Sequence, residues 1–218
     1  MTQPNNSQQP KRALVVIDVQ NEYVTGGLQI EYPPVDDSLR HIGKAMDAAR
    51  DAGIPVVVVQ QMSPQAAPLF AEGSDGWRLH DVVASRPRDH FVQKKLASAF
   101  AGTDLGHWLR QQRVDTLAVV GYMSHNCDDT TIKHAVDAGL DVEFLSDASG
   151  SVPYANRAGA ATAEEIHRVF AVVQQSNFAA VLSTDEWLQC VAEGSRPERD
   201  NIHATHQRAL AAMKHAAA

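Results

Sequence analysis

Three residues that could do covalent chemistry together sit at the ends of apolar runs: Asp18 after ALVVI, Lys94 after FVQ, and Cys127 shortly after TLAVVG. A cysteine reacts as its thiolate, and the ordinary thiol pKa of about 8.5 falls at a helix N-terminus or beside a cation. A nearby carboxylate can take the thiol proton, while a lysine stabilises the thiolate and holds the acid ionised by charge pairing. Taken singly, each residue also fits a structural role: Asp18 as a helix cap, Lys94 as a solvated charge beside Lys95, and Cys127 as a core thiol.

The elements that must bring these residues together are legible as alternating strands and helices. Continuous apolar runs suit central parallel strands, which are buried on both faces. Such runs occur at 13–17, 54–61, in VDTLAVVG, in LDVEFLSDASG up to Asp147, and in FAAVLS at 178–183, with a short strand ending at Gln93 or Lys94. Residues 116–139 read as buried strand, tight polar turn and amphipathic helix, with Cys127 at the joint. Leu39, Ile42, Ala45, Met46 and Ala49 recur at helical spacing, with Asp36, Asp37 and Ser38 as caps and Gly53 as the stop. Further helices are expected over DLGHWLRQQR, over 156–175, over DEWLQCVAE capped by Thr184, and from Arg196 onward. Strands alternating with helices argue for a parallel sheet covered on both faces, with ligands at the carboxyl ends of its strands. Residues 62–90, broken by Pro64, Pro68, Gly73, Gly76 and Pro87, are expected to form a functional loop or lid carrying Trp77 and His80.

The 218 residues suffice for one core. Residues 1–10 read as a mobile arm, 11–190 as the functional domain and 191–218 as a C-terminal helical extension. The net charge of -7, with no basic run longer than a pair, excludes a nucleic-acid or anionic-membrane surface as an expectation. The apolar runs are too short to span a bilayer. The opening MTQPNNSQQP lacks the features of a secretory signal, which makes a cytoplasmic location the expectation. Both cysteines are then expected to be free thiols, Cys190 as a small buried one on a helix face.

The stretch from about Arg12 to Trp187 resembles the isochorismatase-like cysteine hydrolases. The resemblance rests on VVIDVQNEY, on KKLASAFAGTDL, on VVGYMSHNCDDTT, and on DAS and FAAVLSTDEWL further along. The spacing to Phe100 selects Lys94 over Lys95. The resemblance implies an α/β/α sandwich of three layers, mainly parallel, with the Rossmann-like strand order 3-2-1-4-5-6. It further implies a Cys127-Asp18-Lys94 triad hydrolysing C–N bonds, a cis peptide between Tyr122 and Met123, an oxyanion hole from the N–H groups of Met123 and Cys127, and a homo-oligomer. The expected substrate is a small amide or ureide. Isochorismatase-type vinyl-ether hydrolysis and a catalytically silent binding member are the alternatives.

Tyr23, Gln61, Trp77, Phe100, Tyr122 and His125 are further pocket candidates. Where nicotinamidases of this superfamily carry metal-binding Asp and His residues, this chain has QQMSPQAAP, so neither a metal nor another cofactor is expected. His203 and His206 read as exposed tail residues. Asp128 and Asp129 follow the cysteine where the family most often has an apolar residue. They suit the helix dipole but oppose thiolate formation. Either Lys94 outweighs them or they point to solvent or to a cationic substrate group, and a neutral or positively charged substrate is expected.

Overall fold

The computed structural model describes residues 9–216, so the expected N-terminal arm lies mostly outside the described residues. Six strands form one parallel sheet: β1 (Arg12–Ile17), β2 (Val56–Gln61), β3 (His90–Lys94), β4 (Thr116–Tyr122), β5 (Asp141–Gly150) and, after an intervening hairpin, β8 (Ala180–Leu182). Their spatial order is β3-β2-β1-β4-β5-β8, the expected 3-2-1-4-5-6 once the hairpin strands are set aside.

Every residue of β1 is buried, and its side chains feed two separate cores because successive residues point to opposite sheet faces. Leu14 and Val16 pack on one side with Leu39, Ile42 and Met46 of α1 (Val35–Asp51) and with Trp187 of α6 (Thr184–Glu193). Ala13, Val15 and Ile17 pack on the other with Leu105 and Leu109 of α3 (Leu105–Gln111) and Ile132 of α4 (Cys127–Asp137). Burying a side chain of this kind contributes about 1.5–3 kcal/mol, so the continuous apolar runs hold the central strands in place.

Some elements differ from the sequence expectation. The strand β5 continues past Asp147 to Gly150. The helix expected over 156–175 is instead a hairpin, β6 (Tyr154–Asn156) with β7 (Gly159–Ala161), followed by α5 (Ala163–Val173). The Asn156 side chain accepts the Ala158 N–H to form the turn, and a reciprocal Thr162–Glu165 capping box starts the helix only at Ala163. Ser183, rather than Thr184, caps α6, with Glu186 completing the box. Asp36, Asp37 and Ser38 lie inside the first turn of α1 instead of capping it. Cys190 is half-buried, and Cys127 is buried; both are free.

The last helix, α7 (Ile202–Ala216), begins later than Arg196; Arg196 and Arg199 instead pair with Asp141 at the start of β5. The short α2 (Asp81–Ala84) sits in the long segment after β2. Among the described residues no helix is long and apolar enough to cross a membrane.

Candidate active site

The parallel sheet places Asp18, Lys94 and Cys127 at one end. Asp18 turns out of β1 with φ 51, in the left-handed region that aspartate tolerates better than most residues, and its N–H is held by Val59 O. Lys94 ends β3 in register with Gln61 of β2. Cys127 is the first residue of α4. Lys94 Nζ lies 2.7 Å from Asp18 Oδ2 and donates to Cys127 Sγ at 3.2 Å, to Gln61 Oε1 at 2.7 Å and to Leu96 O at 3.2 Å. Neither Asp18 oxygen receives a well-directed hydrogen bond, so lone pairs on the carboxylate stay available.

Burial sets the proton affinities. It pushes the Cys127 thiol well above its ordinary range, with the Asp18 charge adding to the effect and Lys94 opposing it. The helix N-terminus therefore does not by itself make a thiolate here. Burial also raises Asp18, against the pull of Lys94, which makes it a stronger base than an ordinary carboxylate. For Lys94 burial works against the charge, but Asp18 and Cys127 outweigh it and keep the ammonium protonated. The resting arrangement is a neutral thiol beside a buried carboxylate–ammonium pair.

The turn before Cys127 has a cis peptide between Tyr122 and Met123. Met123 O accepts the N–H groups of Asn126 and Asp128, and Ser124 is tied to Gly150 O through both its N–H and its hydroxyl. The N–H groups of Met123 and Cys127 take no part in these backbone hydrogen bonds among the described residues. Gly121 makes the approach of β4 to β1 possible: it has φ 118, and a Cβ there would lie 2.0 Å from Ile17 O.

The two aspartates after the cysteine do not face the solvent or a ligand. Asp128 is fully buried, accepts the Ser149 hydroxyl at 2.8 Å, leaves its other oxygen unpartnered, and is pushed by burial up to about 7. Asp129 bonds Lys133 Nζ at 2.8 Å and Gln174 Nε2 at 2.7 Å. Helical geometry turns these side chains toward β5 and toward Gln174 at the end of α5, so the expected preference for a neutral or positively charged substrate loses its basis.

A cavity of about 460 Å³ opens onto Cys127, with Tyr23, Gln61, Phe70, Asn126 and Tyr154 among its walls. The isochorismatase domain profile matches residues 12–186, which include the cavity lining and Asp18, Lys94 and Cys127. The chain belongs to the isochorismatase family of hydrolases. It is 62% identical to the crystal structure of a protein provisionally described as an isochorismatase from Burkholderia xenovorans LB400, with a TM-score of 0.94, covering 95% of this chain and 100% of that one. It is 36% identical to a streptothricin hydrolase of Streptomyces noursei over 64% of this chain and 54% of the relative. It is 28% identical to the ureidoacrylate amidohydrolase RutB of Methylorubrum extorquens AM1 over 79% of this chain and 83% of the relative.

In this isochorismatase-family hydrolase the other pocket candidates divide. Tyr23 and Gln61 line the cavity. Tyr122 does not: it is fully buried, bonds the Ser38 hydroxyl at 2.7 Å, and supports Tyr23 from behind at a ring separation of 5.4 Å. His125 stands outside the lining and holds Tyr154, its Nε2 lying 3.1 Å from the phenol oxygen. The Trp77 carbonyl binds the side chains of Gln20 and Gln60, fastening the long loop to the strand ends. Phe100 stacks on His134 at 4.8 Å and faces a different cavity between α3 and α4. His80 caps α2 through Nδ1.

Several lining residues escape a sequence reading. Tyr154 lies between the strand expected to end at Asp147 and the helix expected from Asn156, where no element is expected, and Phe70 lies in the irregular 62–90 segment. Phe70 is positioned by Glu22, whose buried carboxylate accepts the N–H groups of Gly27 and Phe70. An acid four residues after Asp18, within the NEY of the first motif, was the available signal.

Proposed function

We propose that this protein is a cysteine-dependent amidohydrolase that cleaves the C–N bond of a small amide or ureide through a thioester. The observation that carries the reading is the contact of one buried ammonium, Lys94 Nζ, with both Asp18 and Cys127, the last of which lines a cavity. The relatives named as amidohydrolase and hydrolase support it.

Asp18 takes the Cys127 proton, and the thiolate attacks the substrate carbonyl carbon. Lys94 offsets the negative charge as it passes from carboxylate to sulfur. The tetrahedral oxyanion is held by the N–H groups of Met123 and Cys127, donors that need no reorganisation during the reaction. Asp18 returns the proton to the departing nitrogen, the C–N bond breaks, and ammonia or an amine leaves. Water then gives a proton to Asp18 and attacks the thioester. The acid departs as the S–C bond breaks, and the proton returns to sulfur.

The test is a panel of small amides and ureides scored by release of ammonia or amine, with intact-mass detection of the acyl-enzyme. Cys127→Ala is expected to lower turnover by about a thousandfold or more and to abolish the adduct. Retained turnover in that variant would overturn the proposal.

A further inference from the structure

The charge on the cavity wall points to a substrate class. Among the described residues lining the cavity only Lys95 carries a charge, and none is a carboxylate. Asp128 and Asp129 are committed to Ser149, Lys133 and Gln174, and the buried Asp18–Lys94 pair largely cancels itself. Lys95 is exposed and has no ion-pair partner among the described residues. Next to Cys127 in the chain, Asn126 lines the cavity and occupies the N-cap position of α4 without a side-chain capping bond. The remaining wall is mainly apolar, with Leu28, Leu69 and Phe70 among it, and its other polar groups, the Gln61 carboxamide and the tyrosine hydroxyls, are uncharged. A cavity with low-dielectric walls and one sign of charge concentrates ligands of the opposite sign, even on a protein of net charge -7.

We infer that Lys95 is a specificity residue that selects substrates bearing an anionic group, such as a carboxylate, on the far side of the scissile amide, with Asn126 as an additional polar contact. This rests on Cys127 being the nucleophile. Lys94 and its neighbour thus divide the work: one cation serves the reacting atoms and the other reads the ligand.

Two alkylating probes of nearly equal size test this without a known substrate. Iodoacetate is anionic and iodoacetamide neutral; each forms an S–C bond to Cys127 and releases iodide. The rate of each is measured at one pH and low salt, with peptide mapping to Cys127, and the iodoacetate-to-iodoacetamide ratio is compared between variants. Lys95→Gln is expected to lower the ratio about three- to tenfold, Lys95→Glu further, and Lys95→Arg to retain it. Salt near 1 M, where the Debye length is only about 3 Å, should bring the wild-type ratio toward that of Lys95→Gln. A ratio unchanged by Lys95→Gln, or equal losses with both probes, would overturn the role of Lys95 and leave the nucleophile reading standing. Failure of Cys127 to react with either probe would overturn the nucleophile and this inference with it.

Discussion

Lys94 Nζ and Asp18 Oδ2 are 2.7 Å apart with both side chains fully buried. Removing one partner of such a pair strands the other charge away from water, at a cost of about 3–5 kcal/mol. Asp18→Asn should therefore lose stability as well as turnover. The double variant Asp18→Asn with Lys94→Met, which removes both charges, should recover most of the stability and none of the turnover. Urea denaturation alongside the amide panel checks this; recovery of activity in the double variant would show that the pair is structural.

Asp128 gives stability a pH dependence of known sign. Its folded-state pKa is about 7, against about 3.9 for an unperturbed aspartate, so the folded protein holds this proton more tightly. The contribution is fully present below about pH 4 and is lost as pH rises toward 7, with a limiting slope of about 1.4 kcal/mol per pH unit. Asp128→Asn keeps an acceptor for Ser149 without the charge. Its melting temperature should match the wild type near pH 4, exceed it increasingly up to about pH 7, and keep a constant margin above that. A margin independent of pH would contradict the assignment.

Two glycines with positive φ should behave differently on substitution. A Cβ at Gly121 would collide with Ile17 O, whereas one at Gly139, with φ 85, would meet nothing within 4 Å. Gly139→Ala should cost about 1 kcal/mol for the backbone conformation alone. Gly121→Ala should cost more than about 3 kcal/mol, because β4 must move away from β1 and carry the Cys127 turn with it. Melting temperatures of the two variants, with alkylation rates at Cys127, separate the two costs.

The backbone plan of this protein follows from local pattern. A continuous apolar run such as 13–17 can be satisfied only as a strand covered on both faces, and right-handed crossovers then order the strands. Asp18, Lys94 and Cys127 could be picked out because each is a reactive type at the end of such a run. Element boundaries were less legible: the alanines at 158, 160 and 161 suit a helix by propensity, yet the Asn156 turn and the Thr162 cap leave them to a hairpin.

The amino-acid sequence by itself determined the sheet and the end of it at which chemistry would gather. Only the tertiary structure decided what surrounds the sulfur, because side-chain direction depends on partners far away in the chain. Asp128 turns inward to a serine 21 residues on, Glu22 holds Phe70 across 48 residues, and Lys94 is buried against Cys127 across 33 while Lys95 is left in the cavity. Burial sets the proton affinity of the Cys127 thiol, with the Asp18 charge raising it further and Lys94 lowering it. Burial penalises every charge in that space, and Lys94 is the cation that opposes the penalty for both Asp18 and Cys127.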